Sequence, residues 1–306
     1  MPLEIDLPDD NERFSLQDYI ECLEGEGYDL SDHHDLIASA KYLKKLGNNK
    51  DFLIDRVFAE LKKSLQFQET NIYAPEVLLL HTTNSYFIRA NIWKPVTKVE
   101  LQVPGYRYDV CHDHNFDILT IGYLGPGYRS RAYTYDSATC EGMLGETVNL
   151  TSEGAFTLTE GKVALYRAKR DVHIQLPPER LSVSINLIPK GDARNQAQLQ
   201  FDESSGRICR YLNFSGAEVA VRLAGLLESR ECLEGLVRIA NQHPSAKMRA
   251  LALVSQLSIA PESAGTTWAD MNTAQPLLVR HIVEAEVAQY GACIRAKTTD
   301  DEALPN

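Results

Sequence analysis

The stretch YRYDVCHDHNFDILTIGYLGPGYRSRAYTY occupies residues 106–135 and has His112, Asp113 and His114 near its start. On an extended chain, side chains at i and i+2 project to the same side. A strand here therefore offers the imidazoles of His112 and His114 to one ion. Gly125-Pro126-Gly127 is a turn signal, and it separates two runs, 117–123 and 129–135, that read as strands.

Working outward, the same period of two holds on both sides. In 85–93, Tyr86, Ile88, Ala90 and Ile92 take one face, while Ser85, Phe87, Arg89, Asn91 and Trp93 take the other. Further short strands are expected near 106–113, 155–159, 162–168, 172–176, 181–188 and 198–201, divided by clusters such as Pro104-Gly105 and Pro177-Pro178. Many short strands with no helix between them point to an antiparallel barrel or sandwich.

Both ends change to helical spacing. Ser15 and Asp18 form a capping box ahead of Leu16, Tyr19, Ile20 and Leu23. Ser31 is placed to cap a second helix through Leu36, Ala40, Leu43 and Leu46, and a third is expected over 51–65. Beyond 215, apolar residues recur at Val219, Leu223, Leu226 and Leu227. Two helices joined by His243-Pro244-Ser245 follow, resembling a HEAT-type hairpin, and one more helix spans about 276–290. The expected organisation is a helical region over 1–72, a β-domain over 73–212 and a helical region over 213–306.

Composition narrows the function classes. The 306 residues carry a formal net charge of −11 and no Lys/Arg run longer than two or three, which argues against nucleic acid and anionic membranes as partners. No run of about 18 apolar residues is present, so no membrane helix is expected. An acidic, Pro-containing start and six cysteines without a CxxC pair fit a cytoplasmic protein with reduced thiols. A small molecule is the expected partner.

GKVALYRAKRDVH, residues 161–173, reads as a glycine-led strand, a polar turn and a histidine. With His112-Asp113-His114 and a glycine eleven residues after His114, it resembles the two signature motifs of the cupin superfamily. That resemblance covers roughly 75–205. It implies an α+β chain with an antiparallel double-stranded β-helix (jelly-roll) barrel flanked by helical regions, and it makes His112, His114 and His173 metal ligands. Cupins usually add a carboxylate after the second histidine, and Asp117 is the nearby acid; without it the site is a three-histidine one. Partial similarity to the cysteine-dioxygenase-like cupins rests on HDH and on LSVSINLIP, residues 181–189. Because Asp113 separates the histidines, the ligand triad of 2-oxoglutarate cupins is not matched.

Such a ligand set suits Fe(II), with Zn, Mn, Ni and Cu as the other divalent candidates. The resemblance then implies a non-heme Fe(II) oxygenase, a dioxygenase in type, that takes O2 and a small polar substrate, either an amino acid or another carboxylate. The rival readings are a Zn or Mn cupin isomerase, epimerase or lyase, and a non-catalytic ligand sensor whose helices dock a partner. Cupins often form homodimers. Candidate substrate groups are Arg89, for a bidentate grip on a carboxylate, with Tyr108 and Tyr166 as hydroxyl donors. Asn186, on one face with Ser182 and Ser184, is a further candidate, as is the stripe Arg129, Arg131, Tyr133 and Tyr135.

Overall fold

The computed structural model describes residues 1–62, 76–96, 108–191, 196–213, 216–227, 230–260 and 276–300. Parts of two expected elements, helix residues 63–65 and strand residues 106–107, lie outside them. The chain forms two compact units. One comprises Met1–Ser137, Val148–Arg194 and Gln200–Gly206; the other comprises Ala138–Thr147, Asn195–Leu199 and Arg207–Asn306. The architecture is α+β with antiparallel sheets.

In the first unit a short strand β1 (Leu3–Ile5) precedes four helices, α1 (Leu16–Gly25), α2 (His33–Ala38), α3 (Ala40–Asn48) and α4 (Phe52–Leu61). Ser15 and Asp18 make the capping box that the sequence predicts. The second expected helix is two helices meeting at Ser39. Its cap is Asp32, which accepts the His34 and Asp35 amides, rather than Ser31. A short carboxylate reaching two orphan amides satisfies more of the helix end than a hydroxyl one residue earlier would.

These helices do not form a separate domain. Tyr19, Leu23, Leu36, Leu43 and Leu46 share one core with Ile88, Leu119, Ile121, Leu165, Ile185 and Leu187 of a six-stranded sheet. Near the end of α3 the helix lies so close to the sheet that a Cβ on Gly47 would fall 2.4 Å from Ile121 Cδ1.

That sheet has the order β1-β7-β4-β9-β3-β2 and uses β2 (Val77–Thr82), β3 (Tyr86–Trp93), β4 (Ile118–Leu124), β7 (Val163–Tyr166) and β9 (Ser182–Pro189). A three-stranded sheet, β6-β5-β8, contains β5 (Arg129–Thr134), β6 (Thr151–Thr157) and β8 (Asp171–Leu176). Strand parity sends Ile88, Ala90, Leu119, Ile121, Ile185 and Leu187 toward the helices, and Arg89, Asn91, Thr120, Ser184 and Asn186 to the opposite face. This second face meets the smaller sheet: Tyr166 packs on Phe156 and His173, and Trp93 on Tyr128 at a ring distance of 4.2 Å. All eight residues of β9 are buried, so its polar side is inside the unit.

The second unit packs α5 (Gly216–Leu226), α6 (Leu233–Gln242), α7 (Ala246–Ile259) and α8 (Leu277–Asp300) around Leu236, Leu251, Val279 and Val283. Ser245 caps α7, its side chain accepting the Met248 amide. Arg222 holds Glu286 through two hydrogen bonds of 2.8 and 2.6 Å.

Candidate metal centre

The segment around His112 is not the regular strand expected. Asp109 N–H donates to Gln175 O, and His112 exchanges both backbone hydrogen bonds with His173, at 3.1 and 2.9 Å. His112 also bridges Gln200. This single ladder step puts His112 directly beside His173, and after it the chain bends, bringing His114 around toward the same point. The i, i+2 spacing works here through a bridge and a bend.

The outcome is a buried trio. His112, His114 and His173 are 2, 9 and 1% exposed. Their ring centroids stand 4.6 to 5.0 Å apart, with rings close to perpendicular. His173 Nε2 lies 3.2 Å from both His112 Nε2 and His114 Nε2. Three nitrogens about 2.1 Å from one ion stand about 3.0 Å apart at octahedral angles and about 3.4 Å apart at tetrahedral ones, so the observed spacing fits an ion of that size.

Tautomers support the fit. His112 Nδ1 lies 2.8 Å from Val110 O, a contact that needs the proton on Nδ1 and leaves the Nε2 lone pair facing the trio. One proton on His173 Nε2 could serve only one of its two nitrogen neighbours, whereas a cation at the centre would serve all three lone pairs. Burial, with His112 close by, holds the His173 imidazole well below its ordinary pKa and so in the neutral form that coordinates. His173 Nδ1 is buried without a hydrogen-bond partner, and the ring instead meets Tyr166 edge to face at 4.8 Å. The three-histidine group could bind a metal ion.

Asp117 does not join it. Its Oδ1 accepts the Ala168 amide at 2.7 Å and lies 3.1 Å from His33 Nε2, so the expected fourth ligand instead holds the turn after β7.

The face of the larger sheet turned away from the helices carries a row of polar side chains. Arg89 pairs in register with Asn186, Asn186 with Thr120, and Asn91 with Ser184. Asn186 Oδ1 accepts from the Thr120 hydroxyl. Tyr166, at the end of β7 in the same sheet, has its hydroxyl 3.3 Å from that of Tyr128, just before β5. Burial pushes the Tyr128 phenol up to about 12. Asn91 Oδ1 is buried there with no hydrogen-bond partner. The Trp93 indole N–H donates to the Ser184 hydroxyl at 3.0 Å.

The other candidates fall elsewhere. The Tyr108 hydroxyl both donates to Lys94 O and accepts from Lys94 N, each at 3.2 Å. Arg131 and Tyr133 both bind Glu203 at the surface, and Arg129 is exposed. Tyr135 turns inward and donates to Asp113 at 2.7 Å. Sequence reasoning passed over Asp113, Lys169, Gln175 and Thr120. Only Asp113 carried a signal, an acid fixed between two candidate ligands.

No family model matches this sequence, and no curated protein matches it. Among solved structures, one described as prolyl 4-hydroxylases from Phytophthora capsici is similar, with 12% identity over 88% of this chain and 82% of that chain and a TM-score of 0.23. Similarity of that size has no bearing on the fold or the reaction.

Proposed function

We propose that the first unit is a cupin-type barrel and that the protein is a non-heme Fe(II)-dependent oxygenase acting with O2 on a small polar substrate that carries a carboxylate. The observation behind this reading is the convergence of three buried histidine nitrogens, with His173 Nε2 3.2 Å from each of the other two. His112, His114 and His173 are the proposed ligands, with no carboxylate in the set. Three facial nitrogens leave up to three positions on an octahedral ion, enough for a substrate and O2 together. Iron in such a site, when bound, supplies the electron transfer.

The chain's own residues supply binding and exclusion of water. Arg89 takes the substrate carboxylate through its fork, because it is a guanidinium at the polar row of the larger sheet. Asn186 and Asn91 offer amide groups in the same rows, and Tyr166, beside His173, orients the part of the substrate nearest the ion. The Trp93–Tyr128 stack limits substrate length.

Metal analysis of protein purified without chelator, followed by oxygen-electrode assays of the Fe(II)-loaded form against a panel of small carboxylates, tests this. We expect about one ion per chain and O2 uptake that depends on both iron and one substrate class. Equal metal content in wild type, His112→Ala and His173→Ala would remove the site. An iron-loaded protein that turns over a carboxylate without consuming O2 would remove the oxygenase reading and leave an isomerase or lyase.

A further inference from the structure

We infer that Lys169 is a positioning residue for the three-imidazole centre, acting through Asp113 and the backbone of His114; this rests on the metal reading given above. Asp113 stands between two of the histidines and is fully buried, and its Oδ2 accepts from Lys169 Nζ and from Tyr135 Oη, each at 2.7 Å. Lys169 also donates its backbone N–H to His114 O at 2.8 Å. Lys169 thus holds the His112–His114 segment twice, once by its main chain and once by its ammonium.

Those two bonds matter because of where Lys169 sits. It lies in the turn between β7 and β8, four residues before His173. Asp117 holds the same turn from the other side through the Ala168 amide, and Tyr135 N–H donates to Arg170 O at 3.2 Å. The centre draws two imidazoles from one segment and the third from another, so its geometry depends on how firmly the two segments are joined. The ladder step at His112–His173 is one joint, and the Lys169 turn is the other.

Lys169 adopts φ +55°, a left-handed conformation uncommon for a residue with a side chain. Glycine would relieve it. The observed residue is one whose ammonium neutralises a buried carboxylate, which points to the ion pair as the reason for the strain.

The alternative, that Lys169 acts on the centre only by its charge, predicts the opposite sign. A nearby ammonium disfavours a bound cation, so its removal would then tighten metal binding; loss of a clamp loosens it. Titration of chelator-treated full-length protein with Co(II), followed by visible absorption, separates the two. We expect Lys169→Met to bind Co(II) about 10- to 100-fold more weakly than wild type, with altered ligand-field bands, as loss of an outer-shell partner does. Lys169→Arg should recover most of the affinity. Tyr135→Phe removes one hydrogen bond while leaving the ion pair, and should show a smaller loss of the same sign; if Lys169→Met does not fold by circular dichroism, Lys169→Gln, which removes the charge and keeps a donor, decides the matter by weaker or by tighter Co(II) binding. Unchanged or tighter Co(II) binding in the folded variants, with wild type binding normally, overturns the clamp and leaves the metal site standing. A wild type that binds no Co(II) overturns the metal site itself.

Discussion

If the three imidazoles share one ion, a divalent metal must stabilise the folded chain, and His173→Ala must abolish that effect. His173 contributes the nitrogen that is 3.2 Å from each of the other two, so its removal leaves two donors that no longer enclose a point. An ion bound only by the native state adds RT ln(1 + [L]/Kd), about 2.7 kcal/mol at a hundredfold excess over Kd. For a unit of this size each kcal/mol moves Tm by roughly 2–4 °C, so the expected rise is about 5–11 °C. The assay is thermal unfolding at pH 7, followed by near-UV circular dichroism, with chelator-treated wild type and His173→Ala, each with and without Co(II). Wild type should gain that shift and the variant none. An equal shift in both, or none in wild type at saturating Co(II), would refute the convergence.

Four other outcomes follow from burial and geometry. Ile185→Ala should cost about 2–5 kcal/mol in denaturant unfolding, because Ile185 is fully buried between the sheet and the N-terminal helices; Glu203→Gln, which breaks an exposed contact with Arg131, should cost less than about 1 kcal/mol. Gly122→Ala places a Cβ 2.1 Å from the Thr159 carbonyl oxygen, where backbone cannot give way, so a loss of about 1–3 kcal/mol or more is expected, and an unchanged midpoint would contradict that contact. Burial pushes Tyr123 and Tyr128 up to about 12. A raised folded pKa means stability that is present below the unfolded value near 10 and lost as pH rises through 12. Absorbance at 295 nm should therefore show a late ionisation step that coincides with unfolding, rather than one step near 10 with native structure retained.

Local signals were legible where the chain acts locally. The Ser15–Asp18 capping box and the alternation over 86–93 read correctly because each involves residues within one turn or one strand. Asp117 misled because its competitor, the Ala168 amide, is 51 residues away in sequence. Tyr108 misled for a related reason. A hydroxyl that reads as a free donor is taken by the Lys94 backbone 14 residues upstream.

By itself the sequence determined which faces are apolar and which residue types could hold an ion, because side-chain period and chemistry are properties of the chain. It also named His112, His114 and His173 together, since spacing and a resembling motif marked them. Tertiary structure alone decided that the polar side of β9 is inside, because a strand of alternating pattern is equally consistent with a wet face and with a second sheet laid over it. It alone decided that Asp113 and Lys169 form the buried pair behind the histidines, since a hydrogen bond between residues 56 positions apart exists only once the two segments meet.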